Sequence, residues 1–338
     1  RSRGLGDVYK RQAIEYKLKT KVEIAYVEFG LFNRIILHDV TLYDKQNEKL
    51  LHGNIISAKI EFLPLLNKEI SLRSVSLLDG HIKIYKQKKE GELNTQFIVD
   101  ALSSSNNTPT NINFRLNSFI IRRFQITYDE RYISETPGKF NLSHIGIDNL
   151  NGNISLKKLT TNELNLRVRH ISLIEKSGLD IKNLSFRLMA NRNTCTISNF
   201  NLELPHSLIT EKEVKAKYKS ENSTEFFNSI ELKGILSDIK IAVADISCFL
   251  PALHDYKDKY ISLSTKFNVT PQNISLMQLY LDEKSGDLTF KGHIQLKRST
   301  DKIVQTTIKA DNLTIAPFAL KTIINNKLSQ KTWNIIDR

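Results

Sequence analysis

The sequence predicts a mostly β protein: an elongated, curled antiparallel sheet forming an apolar groove, a β-taco-like shape, with a few short helices. Three observations lead there. Apolar residues recur at a spacing of two, three, two. Turn signals separate many of these stretches. The residues between the apolar positions are mostly Ser, Thr, Asn, Lys and Arg.

The spacing is clearest in ISLRSVSL, where Ile70, Leu72, Val75 and Leu77 are apolar. Alternation is the strand signal. A single three-step would turn the second half of the strand to the opposite face. One extra residue accommodated as a bulge keeps both halves on the same side, and bulges also bend and twist a strand. The pattern recurs at Val22, Ile24, Val27, Phe29 and at Ile35, Leu37, Val40, Leu42. It returns at Phe119, Ile121, Phe124, Ile126, at Leu166, Val168, Ile171, Leu173 and at Leu179, Ile181, Leu184, Phe186. Cys195, Ile197, Phe200, Leu202 and Ile274, Leu276, Leu279, Leu281 fit it, and Ile308, Ala310, Leu313, Ile315 is a weaker copy. Three stretches read as hairpin turns: Asp79-Gly80 before Ile82 and Ile84, Ser177-Gly178, and Ser285-Gly286. One greasy and one wet face follow.

Helical stretches are short: 13–19, 62–68, 94–104, 245–256 and 316–328. The polar run SSSNNTPT at 103–110 reads as a linker between an N-terminal β region over 13–102 and a continuing repetitive β groove over 111–338. Residues 1–12 stand apart. RSRGLGDVYKRQ has no helix or strand period and no apolar run behind it, and Ser2 to Gln12 back-translate to a sequencing-library adapter. We read 1–12 as a non-native segment.

The chain has 49 basic and 36 acidic residues, a net charge of +13. Residues 1–12 carry +3 of it, leaving +10 on the rest. The positive charge is diffuse, which suits an anionic lipid surface as well as nucleic acid; no nucleic-acid partner is expected. The two cysteines, Cys195 and Cys248, fall at apolar-pattern positions and read as free thiols. No phosphate-binding Gly loop, zinc-binding or nucleophile motif occurs. No two of the eight histidines are four apart, and His81, His170 and His293 read as solvated residues. Asp129-Glu130 and Asp282-Glu283 read as turn residues. No enzyme activity, cofactor or metal is expected.

An amphipathic sheet must bury its apolar face. With so few helices to cover it, curling into a trough is one solution, and a trough lined by Ile, Leu, Val and Phe is a sheath for acyl chains. The lipid-lining candidates are Ile70, Leu72, Val75, Leu77, Ile82, Ile84, Phe119, Ile121, Phe124, Ile126, Leu184, Phe186, Phe200, Leu202, Leu279 and Leu281.

The run KVEIAYVEFGLFNRIILHDVTLYDKQNEKLLHGNIISAKIEFLPLLNKEISLRSVSLLDGHIKIYK at 21–86 resembles the N-terminal region of AsmA-like envelope proteins, and most of all the TamB group, the translocation and assembly module subunit. Its marks are VTLYD, ISAKIEFLPLLNKEI and VSLLDGHIKIY; LSDIKIAVADISCFLPAL at 236–253 resembles another element of these proteins. The resemblance implies a Gram-negative periplasmic protein held by an inner-membrane anchor. It implies phospholipid carriage between the inner and outer membranes, or help in outer-membrane protein assembly with a barrel partner. On that likeness the chain is a fragment lacking the anchor and the partner-binding end. Two alternatives stand beside it: a chaperone-like module that pairs its strand edges with membrane proteins, and an extracellular β-repeat adhesin. The adhesin should show aromatic platforms, but the one Trp, Trp333, lies near the C-terminus.

Overall fold

A computed structural model describes residues 19–31, 33–61, 71–103, 115–136, 138, 140–159, 163–219, 229–249, 257–283, 288–299 and 302–316. The chain is mostly β, with fifteen strands in a curled mixed sheet and two short helices among the described residues. It divides into two compact units, residues 1–187 and 188–338. The segment 1–12, the helices expected at 62–68 and 316–328, most of the linker at 103–110, Ser285-Gly286, Ile70 and Trp333 lie outside the described residues.

The first unit contains β1 (Val22–Gly30), β2 (Arg34–Tyr43), β3 (Lys49–Glu61), β4 (Ser71–Lys86), α1 (Gln96–Ser103), β5 (Arg115–Glu130), β6 (His144–Leu159) and β7 (Glu163–Glu175). β8 (Asp180–Asn191) holds the division between the units. The pairs β1–β2, β2–β3, β3–β4, β5–β6 and β6–β7 are antiparallel. β4 and β5 pair in parallel, against the expectation of an antiparallel sheet throughout. A parallel pair needs a longer connection than a hairpin, and the chain from Lys86 to Arg115, including α1, supplies it. The helix expected over 94–104 is therefore present, and it lies in this crossover.

Directly opposed residues share a face, so the register traces apolar rows across the unit. One row is Val22, Leu42, Leu51, Ile82, Ile126 and Ile147. The next is Ile24, Val40, Gly53, Gly80, Phe124 and Leu150. Further rows hold Val27, Leu37, Ile56, Leu77 and Ile121, then Phe29, Ile35, Ala58, Val75, Phe119, Ile154 and Val168. Leu72 stands in a last row with Ile60 and Leu116. Leu72 and Val75 thus share a face, as the spacing predicts, because the register slips by one between Lys59 and Ile60.

At four of the other three-steps, and at two further places, one residue takes a left-handed backbone. Asp39, Asp79, Arg123, Asn149, Asn199 and Gln278 have φ between 48° and 53°. A left-handed residue strains any side chain bulkier than glycine, with Asn and Asp the most tolerant; four of these six are Asn or Asp. The first three lie side by side with Asn54: His38 and Val40 flank Asp39, Ile55 and Gly53 flank Asn54, Leu78 and Gly80 flank Asp79, and Arg122 and Phe124 flank Arg123. The Arg123 guanidinium donates to both Asp79 carboxylate oxygens, at 2.5 and 2.7 Å, across this line. Asp79-Gly80 is accordingly not a hairpin turn. It is a left-handed step inside β4, and Ile82 and Ile84 continue the same strand. Ser177-Gly178 is the turn expected: Gly178 has φ +99°, and the Glu175 amide donates to the Leu179 carbonyl.

The second unit contains β9 (Thr194–Glu203), β10 (Leu208–Lys217), β11 (Glu231–Ala242), α2 (Val243–Ile246), β12 (Tyr260–Val269), β13 (Asn273–Glu283), β14 (Leu288–Ser299) and β15 (Lys302–Ile315). Its consecutive strands all pair antiparallel. The helix expected over 245–256 appears as the single turn of α2, with 250–256 outside the described residues.

Candidate functional site

The candidate site begins with the apolar face of the first unit. Its residues are Val, Ile, Leu and Phe on a bulged, pleated surface, the types that pack well there. Val75, Leu77, Ile82, Ile84, Phe119, Ile121 and Ile126 are half-buried, whereas Phe124 is 1 % exposed. The Phe124 ring occupies the space over Gly80 of the neighbouring strand. Leu184 and Phe186, on β8, are half-buried.

In the second unit Leu202 opposes Ile209, while Leu281 opposes Leu263 on one side and Phe290 on the other. Both leucines are half-buried. Leu279 is 3 % exposed and opposes Gly292. Phe124 and Leu279 thus pack tightly, and the remaining candidates whose side chains are described offer the accessible apolar surface. The expected wet-face lysines Lys182 and Lys297 are exposed.

An open concavity of about 1000 Å³ lies in the second unit. Phe200 lines it, together with Phe267, Ile235 and Met277. Lys212, Lys215, Lys233 and Lys266 line it too, with Glu211 and Glu213. Lys215 pairs with Glu213 at 2.8 Å, and Lys233 with Glu231 at 2.7 Å. Of these residues only Phe200 was singled out by the periodicity. The lysines come from three strands, and only the dense EKEVKAK run of β10 marks the place in the sequence.

A buried polar network also lies in the first unit. Asp44, 1 % exposed, accepts from the Gln46 and Glu48 amides at 2.9 Å each. Its other oxygen accepts from the Tyr85 hydroxyl at 2.6 Å and from Asn94 Nδ2 at 3.2 Å. Asn94 Oδ1 accepts from the Tyr85 amide, and Arg131 lies over the Tyr85 ring at 3.5 Å while donating to both Glu48 oxygens at 2.7 Å. The Arg131 hydrogen bonds hold the Glu48 carboxyl below its usual range. This network fastens the β2–β3 turn to the end of β4 and to the segment after β5.

His206, Ser207 and Asp245 also meet. The Ser207 hydroxyl donates to Asp245 at 2.6 Å, and the His206 ring lies 3.2 Å from the other Asp245 oxygen. A nucleophilic triad needs the serine hydroxyl on the imidazole; here the hydroxyl is committed to the carboxylate. The trio clamps the β9–β10 turn to α2. His52 and His81 oppose one another on the polar face with ring centroids 5.6 Å apart, and burial, then the neighbouring His52, lowers the His81 pKa. Neither cysteine is in a disulfide; burial pushes the Cys195 thiol up.

The sequence matches no family model and no curated protein.

Proposed function

We propose that the chain is an envelope structural protein whose apolar sheet face sheathes acyl chains, carrying phospholipid between the inner and outer membranes. One observation carries the reading. Two apolar rows of the first unit run unbroken across six strands or more, yet most of their side chains are only half-buried. A closed sandwich would bury such a face against a second sheet; among the described residues all strands belong to one sheet. Exposed apolar area of this extent marks a surface that meets another apolar body. The alternation of apolar and polar faces lets acyl chains lie on one side while the other stays in water. The TamB-like run at 21–86 supports the same reading, and with it a periplasmic setting, an inner-membrane anchor and an outer-membrane barrel partner.

Photocrosslinkers placed one at a time at Phe186 and Leu281 test this in cells. Phospholipid adducts should form at both, and not at Lys182 or Lys297. Equal labelling at all four positions, or none at Phe186 and Leu281, overturns the reading.

A second reading, strand addition to a client membrane protein, is favoured by β15. It is last in the strand order, and its Ile308 and Leu313 are 59 % and 51 % exposed. Crosslinks from Lys309 to unfolded barrel proteins, in place of lipid adducts at Leu281, would favour it.

A further inference from the structure

β10 and β11 pair at only part of their length. Their ladder runs from Lys217–Glu231 to Val214–Gly234, and the next partners are Leu208–Lys240. Residues 209–213 and 235–239 are strand, but among the described residues no partners across this boundary join them. Each side stays attached to its other neighbour, 209–211 and 213 to β9, and Ile235, Leu236 and Ile239 to β12. Two local irregularities accompany the parting. Asn199 is left-handed in β9, and the register of β11 on β12 slips between Leu236 and Ile239. Both lie beside the stretch where the β10–β11 ladder opens.

The concavity sits at this gap, with Glu211, Lys212 and Glu213 on one bank and Ile235 and Ser237 on the other. Its lining comes from both faces of the sheet. Phe267 opposes Leu276 and Gly234 in the apolar rows, and Phe200 follows Ile197 across the bulge. Lys215 opposes Lys233, and Lys266 opposes Ile235, on the polar face. Four lysines against Glu211, Glu213 and the Glu231 that pairs with Lys233 leave the place one charge positive, with Lys212 and Lys266 nearest to uncompensated. Glu211 is drawn back onto its own strand, accepting from the Lys212 and Glu213 amides at 2.8 and 3.3 Å.

We infer that the β10–β11 gap is a lateral port for an anionic phospholipid: the phosphate rests on Lys212, Lys233 and Lys266, and the acyl chains pass to Phe200 and Phe267. The inference rests on the acyl-sheath reading above and adds where a headgroup is held. Charge complementarity selects the occupant. A zwitterionic headgroup brings a cation that the lysines repel, whereas a phosphodiester with an uncharged alcohol leaves its negative charge for them. A volume of about 1000 Å³ is at the upper end for ligand pockets, which suits a headgroup and the start of two chains.

The test places a photocrosslinker at Ile235 in the gap, and in a separate protein at Leu281 on the apolar face. Each is mixed with vesicles of phosphatidylglycerol or of phosphatidylcholine. Ile235 should label phosphatidylglycerol at least about fivefold over phosphatidylcholine, and 0.5 M salt should reduce that preference by screening. The triple variant Lys212→Gln, Lys233→Gln, Lys266→Gln should abolish the preference at Ile235 and leave labelling at Leu281 unchanged; these are exposed side chains, so folding is retained, as a melting curve will check. Equal labelling of both lipids at Ile235, a preference that survives the triple variant, or labelling at Leu281 with none at Ile235 overturns the port and leaves the acyl sheath standing. No lipid at either position overturns both.

Discussion

The Phe124 ring fills the space beside Gly80: a Cβ on that glycine would stand 2.7 Å from the ring and 2.2 Å from the His52 carbonyl oxygen. An aromatic ring on one strand thus covers a glycine on the next, a device that packs a sheet where the backbone is bare. Gly234 repeats it, with the Phe267 ring 2.6 Å from the place of its Cβ. Gly80→Ala should therefore destabilise the chain by about 2 kcal/mol or more, since the nearest atom is backbone and cannot swing away. Gly53→Ala, whose Cβ would meet only the Ile56 side chain at 3.2 Å, should cost less than about 1 kcal/mol. Urea midpoints of the two variants check the order, and equal costs would deny the ring its role.

The left-handed bulge residue at Gln278, φ 52°, carries a second prediction. Gln278→Asn should be neutral or stabilising, because Asn tolerates this backbone. Gln278→Val should cost about 1–2 kcal/mol, because a β-branched side chain does not. Gln278 is exposed, so packing does not obscure the comparison. Thermal melts in which Val and Asn behave alike would remove the bulge as the cause.

Tyr85 gives a pH prediction. Burial first, then its hydrogen bond to Asp44, pushes the phenol well above its ordinary range. A folded pKa above the unfolded value of about 10 means that the stabilisation is complete below about pH 10. It is lost as pH rises from there through the folded pKa. Tyr85→Phe should cost about 1–3 kcal/mol at pH 7, since a buried Asp44 oxygen loses its shortest donor. The stability difference between the two proteins should then shrink above pH 10, as followed by denaturant unfolding at stepped pH. A constant difference would mean that the phenol does not ionise differently on unfolding.

Much of the strand arrangement was legible because the period is strict. Ile35, Leu37, Val40 and Leu42 show their shared face in the spacing alone, and the register places them on one face. Asp79-Gly80 was not legible as a left-handed step inside a strand, because an Asp-Gly pair is also the hairpin signal; only the period continuing through Ile82 and Ile84 distinguishes them. The parallel β4–β5 pair left no local mark, because an amphipathic strand presents the same alternation to a neighbour running either way. The gap between β10 and β11 is a missing relationship between strands, and Lys212, Lys233 and Lys266 meet there only once three strands are aligned.

The order of the strands also bears on how the chain acquires its structure. In both units nearly every strand pairs with the one made just before it, so each ladder closes over a short stretch of chain. Pairing over short sequence distances is fast, and distant pairing is slow. Such a sheet can grow strand by strand as it leaves the ribosome or a translocation pore, each new hairpin finding a template already in place. The parallel β4–β5 junction is the exception, because β5 must return across the length of β4 before it pairs. That junction sets the slow step for the first unit: until β5 arrives, Gly80 lacks the ring of Phe124, and the edge of β4 is the stretch on which a chaperone would act.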